Sequence, residues 1–335
     1  MSVTSRGVSF GHRLALTLAL TLAVIFSVIL IGTAAPNFAM SADKVPDPEK
    51  VTLEFKDGLQ MKATFYPGTK GKETVPIIML HGFKGTRKEF VDLATYLQAQ
   101  YGHAVLLPDM RGHGESTKIK RGVGEKDLDV DAGKFKPADF DGLATDVEKM
   151  KQFLMEKHHA EQLNIDRLTV IGSELGADVA VKWARLDWSW PVLATGKQGQ
   201  DVKALFLISP DVNFKGMKSI ADYDDPHIQR DISFFIMAGK NGSGAADSKS
   251  IHNKLKPFHP DQAKDDYKEK QDLFFWQFDT ALQGTKIFAV NPLKKDLNDT
   301  KEAHVDYKAL VANFIAWRAV DKDYRWVSRK LAGQN

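Results

Sequence analysis

The sequence predicts an α/β fold: a doubly wound, mostly parallel sheet with an antiparallel hairpin at its N-terminal edge. Continuous apolar runs of strand length alternate with stretches whose apolar residues recur at helical spacing. That alternation is typical of parallel strands that are buried on both faces and joined by helices. The segment from Val51 to Pro67 instead alternates apolar and polar residues around Asp57-Gly58, which predicts a tight hairpin turn.

Six buried strands are expected after the hairpin, and helices are expected between them. The strand segments are VPIIMLHG, HAVLLPD, RLTVIG, VKALFLISP, ISFFIMAG and TKIFAV. A helix is predicted over residues 175–186. Three further helices are predicted from apolar residues at helical spacing: Phe90, Leu93, Ala94 and Leu97; Phe140, Leu143, Ala144, Val147, Met150 and Leu154; and Leu310, Val311, Phe314 and Ile315. Residues 118–137 are polar and predict a surface loop, and residues 254–283, which contain DLFFWQF, predict an inserted helix near the site.

Length and composition narrow the function classes. The chain has 335 residues, 43% hydrophobic and 27% charged, which suffices for the core of one large α/β domain or two small ones. A net charge of +3 without a dense basic patch gives nucleic-acid binding little support. The absence of cysteine excludes disulfides, thiol catalysis and cysteine zinc sites. His252 and His259 lack paired ligands at metal spacing, so no metal or cofactor is expected.

The N-terminal segment has the pattern of an export signal. A basic start is followed by an apolar run over residues 14–31, and no charge occurs between Arg13 and Asp43. The run is also about long enough to span a bilayer, so cleavage near Ala39 and retention as an anchor both stay open. Either outcome predicts an extracytoplasmic protein, secreted, periplasmic or anchored by residues 14–31. The expected organisation is a signal or anchor at 1–41, a linker at 42–50, a folded domain at 51–320 and a polar tail at 321–335.

Three motifs follow the predicted strands: HGFKG at 81–85, PDMRGHGES at 108–116 and GSELG at 172–176. Functional residues are expected there, because ligands of a doubly wound sheet bind at the carboxyl ends of its strands. The order and spacing of the three motifs resemble the α/β-hydrolase family, in particular its single-domain esterase and peptidase-like members. The resemblance runs from about Val51 to Trp317 and implies a nucleophile at the turn GSELG.

The register of that turn is set by its flanks. The family pattern is Gly-x-nucleophile-x-Gly, in which small residues flank a strained tip. With Glu174 at the tip the flanking residues are Gly172 and Gly176, whereas Ser173 at the tip would have bulky neighbours. Glu174 is therefore assigned to the nucleophile position, and Ser173 is interpreted as a small residue in a tight turn.

The resemblance implies the remaining site residues. The histidine is expected at His304, before the last helix. The usual acid position is occupied by Gly242; Asp247 is a surface or helix-cap candidate, and Asp211, after the fourth strand, is either the acid or a turn residue. The oxyanion hole is expected from the backbone amides of Phe83 and Leu175.

Three hypotheses follow: a non-catalytic binding or assembly protein, a hydrolase with Glu174 as carboxylate nucleophile beside His304 and Asp211, and a serine hydrolase that uses Ser173. In the first, the Glu174 carboxylate is expected to fold back onto the oxyanion amides and pair with protonated His304. Phe83, Phe214 and DLFFWQF are expected to form the pocket wall, which favours a small apolar ligand.

Overall fold

The sheet begins with the predicted hairpin. The computed structural model describes residues 45–194, 196–259, 270–290 and 306–329, and the backbone alone of 293–295 and 303–305. Strands β1 (Glu49–Glu54) and β2 (Gln60–Tyr66) pair antiparallel. Gly58 turns the chain with a φ of 89°, where an added Cβ would collide with the Lys120 carbonyl. Glycine is therefore required at this turn.

Six parallel strands follow the hairpin in the same sheet. They are β3 (Pro76–Leu80), β4 (Ala104–Pro108), β5 (Leu168–Ser173), β6 (Val202–Ile208), β7 (Ser233–Gly239) and β8 (Leu273–Phe278). The spatial order is β1-β2-β4-β3-β5-β6-β7-β8, and two short antiparallel strands, β9 (Leu293–Lys295) and β10 (Ala303–Val305), extend the far edge. Two-residue ribbons pair Lys118–Ile119 with Leu128–Asp129, and Asn213–Phe214 with Met217–Lys218. The fold class predicted from the sequence is confirmed.

Helices cover both faces of the sheet. They are α1 (Val91–Tyr101), α2 (Pro137–His159), α3 (Leu175–Ser189), α4 (Pro226–Arg230), α5 (Ala245–Leu255) and α6 (Tyr307–Ile315), and a short π-helical turn follows at Ala316–Val320. The apolar sides of α1 and α6 share one core cluster, and those of α2, α3 and α5 share the other. The helical faces predicted from residues 90–97, 140–154 and 310–315 are buried as expected.

Two predicted elements are wrong. The segment DLFFWQF is not a helix, because Leu273–Phe278 forms the parallel strand β8 beside β7. Its rings continue a stack across three strands: Phe206 lies 4.6 Å from Phe235, which lies 5.6 Å from Phe274. Cross-strand aromatic pairs of this kind stabilise a sheet and not a helix.

The segment TKIFAV is not a strand. Gly284–Ala289 forms a 3₁₀-helix, and its first amides are used by side chains instead of a sheet partner. Gly284 N donates to Ser209 Oγ at 3.0 Å, and Thr285 N donates to Ser173 Oγ at 3.1 Å. The segment is therefore held over the ends of β5 and β6.

Residues 321–329 cross the edge at which β5 and β6 begin. His158 Nε2 donates to the Val327 carbonyl at 3.0 Å, and Asn164 Nδ2 donates to the Tyr324 carbonyl at 2.9 Å. The Arg329 guanidinium binds the buried carboxylate of Asp201 at 2.9 Å. This segment, which we call the C-terminal strap, is thus fastened to the domain.

The predicted signal or anchor at 1–41 lies outside the described residues, as do residues 42–44 of the linker, and the last two linker residues already belong to β1. Across the described ranges, which start at residue 45, no helix has both the length and the apolar character to cross a bilayer.

Candidate active site

The turn between β5 and α3 has its unusual backbone geometry at Glu174. This residue adopts φ 49° and ψ −118°, whereas Ser173 is the last residue of β5. The Glu174 amide donates to the Ile208 carbonyl at 2.8 Å, and its carbonyl accepts from Ala177 N at 2.8 Å. A side chain on a backbone with positive φ is costly and persists where the surroundings impose it. Glu174 is therefore the tip of the turn.

The flanking glycines are required by close packing. A Cβ added at Gly176 would collide with the Leu80 carbonyl at the end of β3, and one at Gly172 would collide with the Gly176 carbonyl. Helix α3 consequently starts in direct contact with the ends of two strands. Because both glycines must lie in these contacts, Glu174, midway between them, is the residue at the tip of the turn.

Ser173 is sealed inside the protein. It is 0% exposed, and its Oγ accepts a hydrogen bond from Thr285 N at 3.1 Å. A substrate carbonyl has no path to this hydroxyl in the observed arrangement. The structure thus gives Ser173 a packing role at the end of β5.

The Glu174 carboxylate lies between two glycines. A Cβ added at Gly82 would come within 2.5 Å of Glu174 Oε2, and one at Gly284 within 2.9 Å. Partial burial raises the pKa of Glu174, the negative charge of Glu89 raises it further, and Lys286 acts in the opposite direction. The tip is therefore a carboxyl group whose ionised form is disfavoured.

Glu89 is a site residue that sequence reasoning missed. Its Oε2 accepts from Gly82 N at 3.3 Å and from Thr285 Oγ1 at 3.1 Å, which links the HGFKG loop to the 284–289 segment. Glu89, Thr285 and Lys286 also line a cavity of about 500 Å³. The only available signal was an acidic residue in the first turn after the HGFKG loop, a position usually explained by helix capping.

The HGFKG loop is held by a buried histidine. His81 Nδ1 donates to the Gly82 carbonyl at 2.8 Å, and His81 Nε2 accepts from Met110 N at 3.0 Å. Burial lowers the pKa of His81 to about 4, so the ring is neutral and can make both bonds. The loop carrying Phe83 is thereby fixed next to the start of α3.

The predicted oxyanion amides are present but are not occupied by Glu174. Leu175 is the first residue of α3, and no described residue accepts a hydrogen bond from the amide of Phe83 or Leu175. The expectation that the Glu174 carboxylate folds back onto these amides is wrong for the described structure. The carboxylate instead fills the space that Gly82 and Gly284 leave.

Part of the predicted apolar wall is present. The Phe83 and Phe214 rings lie 5.3 Å apart in an edge-to-face contact, and Phe140 supports both. Phe274 and Phe278 of the DLFFWQF segment do not contribute to this wall, because both are buried in the sheet core.

Gly242 stands at the position where the family acid is expected, and the side chain of Gln283 fills the space beside it. Gly242 follows β7, and an added Cβ there would collide with Gln283 Nε2. Gln283 Oε1 accepts from Gly244 N at 3.3 Å, while its Nε2 is buried without a partner among the described residues. Asp247 Oδ2 accepts from Val212 N at 3.1 Å in the first turn of α5, which is a structural role.

A family model described as the alpha/beta hydrolase fold matches residues 75–312, which is more than half of the chain. The chain belongs to the α/β-hydrolase family. An esterase from Pyrococcus furiosus superposes with a TM-score of 0.53 at 16% identity, covering 82% of this chain and 93% of that chain. A second crystal form of that esterase gives a TM-score of 0.50 at 16% identity, covering 80% and 90%. At these identities the likeness shows the fold alone. A comparison with curated protein sequences finds no match.

Asp211 lies where some α/β hydrolases place their acid, after β6. Its amide donates to Asp178 Oδ1 at 3.1 Å, and burial together with Asp247 raises its pKa. The charge of Asp211 also contributes to the raised pKa of Glu174, so these two carboxyls share one electrostatic environment. Asp178 is fully buried, and burial raises its pKa well above its usual range.

The structure describes the backbone of His304, the predicted histidine of this α/β-hydrolase site, but not its side chain. His304 belongs to β10, immediately before α6, and its backbone pairs with Lys294. Its side chain lies outside the described part of the chain, so its pairing with Glu174 stays a prediction. Among the described residues, no group of three His, Asp or Glu side chains has the geometry to hold a metal ion.

Proposed function

We propose that this protein is an extracytoplasmic α/β-hydrolase-fold protein that lacks serine-hydrolase chemistry and uses its site to bind a ligand. The observation that carries the proposal is Glu174 at the tip of the turn, with φ 49° and ψ −118°. Serine hydrolysis requires a hydroxyl at this point, a base beside it and a group that orients the base. Here the hydroxyl is replaced by a carboxyl group with a raised pKa.

Two further observations support the proposal. Ser173, the nearest hydroxyl, is 0% exposed and bonded to Thr285 N. The position after β7 holds Gly242, and the Gln283 amide fills the space that an acid side chain would need. Both the nucleophile position, Glu174, and the acid position, Gly242, therefore lack the side chain that serine catalysis requires.

The expected ligand is small and apolar. The half-buried rings of Phe83 and Phe214 form one wall beside the turn, and the Phe83 amide, which has no acceptor among the described residues, supplies a donor. A mostly apolar pocket with a few directed polar groups is the usual form of a small-molecule site.

Reactivity of the full-length chain tests the proposal. We expect no labelling by a fluorophosphonate probe, and no turnover of short acyl esters, epoxides or haloalkanes. Labelling that disappears in Ser173→Ala would instead establish serine chemistry and overturn the proposed register. Ala177→Ser, with a hydroxyl in the adjacent helix, is a control for nonspecific labelling.

A second candidate function is hydrolysis with Glu174 as the nucleophile. It is favoured by the retained strain at Glu174, since such conformations cost about 1–3 kcal/mol and cluster at functional sites. A Glu174 oxygen would attack a substrate carbon and displace its leaving group, forming an ester that water cleaves with help from His304 and Asp211. The raised pKa of Glu174 weighs against this candidate, because the ionised carboxylate is the nucleophile.

Oxygen exchange separates the two candidates. During turnover in ¹⁸O-water, ester cleavage at the Glu174 carbonyl carbon would leave one heavy oxygen on that side chain. Mass spectrometry of the peptide containing Glu174 measures this mass change. Incorporation in the native chain and none in Glu174→Gln would support the nucleophile and exclude a purely binding role.

The proposed location is tested with a single cysteine, because the native chain has none. Val123 is 109% exposed in a surface loop, so Val123→Cys is accessible on the folded domain. A membrane-impermeant maleimide should label it on intact cells or in the secreted fraction, and should leave Ser9→Cys unlabelled in an anchored chain. Labelling of Val123→Cys only after lysis would contradict an extracytoplasmic location.

A further inference from the structure

A second cavity lies at the edge of the sheet opposite the Glu174 turn. It has a volume of about 760 Å³ and lies between residues 196–198 and the C-terminal strap, next to the start of β6. Ligand cavities in proteins typically enclose about 300–1,000 Å³. The cavity is therefore large enough for a small organic molecule, and it is separate from the site described above.

One wall of the cavity carries the ammonium group of Lys203, which makes no direct ion pair with a described residue, although Asp166, Asp201 and Asp187 act on it from a distance. Lys203 Nζ donates to the Gln200 carbonyl at 2.6 Å and lies 4.8 Å from the centre of the Trp188 ring and 5.4 Å from that of Tyr324. Among the described residues no carboxylate forms an ion pair with it. An ammonium has three N–H donors, so Lys203 retains donating capacity towards the cavity.

The strap contributes a second unsatisfied donor. The Arg329 side chain is only 7% exposed, and its terminal nitrogens bind Asp201. Its Nε, however, is buried and has no hydrogen-bond partner in the described part of the chain. A buried donor without an acceptor is costly, and an anion in the cavity would remove that cost.

The rest of the lining is partly apolar. Leu193 and Val327 also line the cavity and are 47% and 58% exposed, and the Tyr324 ring of the strap lies 5.4 Å from Lys203 Nζ. The two carboxylates of the lining are each paired, Asp166 with Lys197 and Asp323 with Arg325. We propose that this cavity binds an organic carboxylate with an apolar body. Its carboxylate would accept from Lys203 Nζ and Arg329 Nε, and its apolar part would contact Leu193 and Val327.

Calorimetry with phenylbutyrate tests the proposal on the full-length chain in a neutral detergent. Phenylbutyrate should bind, and the uncharged phenylbutyramide should bind at least about tenfold more weakly, because hydrogen bonds to charged groups are the stronger ones. Lys203→Met should weaken phenylbutyrate by about tenfold or more. Lys249→Met, an exposed lysine of α5 outside the cavity, should leave the affinity unchanged.

Two further measurements keep the test independent of folding. Leu193→Glu, at an exposed wall position, should also weaken phenylbutyrate binding by charge repulsion. Burial lowers the pKa of Lys203 to about 8, with Lys197 acting in the same direction and Asp166, Asp201 and Asp187 in the opposite one. Affinity should therefore fall as the pH rises above about 8, and this fall should vanish in Lys203→Met. Equal affinity for acid and amide would overturn the proposal. Binding only by a chain that ends at Arg329 would also overturn it, since residues 330–335 would then be the occupant.

Discussion

The side-chain amide of Gln283 occupies the space that a side chain at Gly242 would need. A Cβ at Gly242 would collide with Gln283 Nε2, while Gln283 Oε1 is held by Gly244 N. The position at which the family acid is expected is therefore filled by the residue that immediately precedes the 3₁₀ segment Gly284–Ala289. Restoring an acid at Gly242 requires a change at Gln283 as well.

The first prediction concerns this steric coupling. Gly242→Ala should lower the free energy of unfolding by about 1–3 kcal/mol, because a methyl group is forced against Gln283. In a Gln283→Ala background the same change should cost clearly less. Denaturant unfolding of the four members of this double-mutant cycle measures the coupling. Additive effects would show that Gln283 does not fill the space.

The second prediction concerns the gain of esterase activity. Glu174→Ser alone should show little hydrolysis of short acyl esters, because the acid position still holds glycine and its space is filled by Gln283. The triple change Glu174→Ser, Gly242→Asp, Gln283→Ala should be more active, with loss of an orienting acid costing up to about 10⁴-fold in such sites. The triple variant with His304→Ala is the matched control and should lose the gain. Equal activity of the single and triple variants would assign the orienting role elsewhere, with Asp211 as the candidate.

The third prediction concerns backbone strain at the tip. Glycine accepts positive φ without steric cost, so Glu174→Gly should be more stable than Glu174→Ala by about 1–2 kcal/mol. The opposite order is expected at Ala177, inside α3, where Ala177→Gly should cost about 1 kcal/mol. Thermal and denaturant unfolding of the variants measure both differences. A more stable alanine at 174 would mean that the tip is not strained.

The fourth prediction follows from the raised pKa of Glu174. A carboxyl whose folded pKa is raised destabilises the folded state at pH values where it is ionised, and this penalty is relieved as the pH falls through that pKa. Glu174→Gln should therefore raise the melting temperature at pH 7, and the advantage should shrink towards pH 4. Lys286→Met should enlarge it, because Lys286 favours the ionised form. A difference that does not vary with pH would exclude this electrostatic cause.

The fifth prediction concerns His81, whose pKa is lowered to about 4 by burial. Neutral His81 stabilises the fold fully above its ordinary pKa of about 6.5, and this contribution is lost as the pH falls from there to about 4. His81→Asn, which can still donate to Gly82, should reduce the slope of stability against pH in that window by about 1.4 kcal/mol per pH unit. An unchanged slope would mean that His81 binds its proton equally well in the folded and unfolded protein, which contradicts a pKa lowered by burial.

The sequence predicts an element correctly where neighbouring residues alone determine it. The strands VPIIMLHG and RLTVIG were predictable because residues buried on both faces leave a continuous apolar run, and Glu174 was placed at the tip by the glycines beside it. DLFFWQF was assigned wrongly because a short aromatic run among charged residues fits a strand or a buried helix equally well. The strand is favoured only by tertiary contacts, because Phe274 stacks on Phe235, which stacks on Phe206 of the next strand.

The electrostatic part of the site could not be predicted because it is built from distant segments. Glu89 meets Thr285 across 196 positions of the chain, and Gln283 meets Gly244 across 39 positions that include α5 and β8. No spacing rule connects such pairs, since each contact depends on how the 284–289 segment lies across the ends of β5 and β6. Because TKIFAV was predicted as a strand of the sheet, its position across the ends of β5 and β6 was not expected.

The C-terminal strap ties one edge of the sheet to a distant part of the chain. His158 and Val327 are joined across 169 positions, and Asp201 and Arg329 across 128. Proteolytic loss of residues 321–329 would therefore remove these contacts from the edge where β5 and β6 begin, while the Glu174 turn at the opposite edge would keep all of its residues.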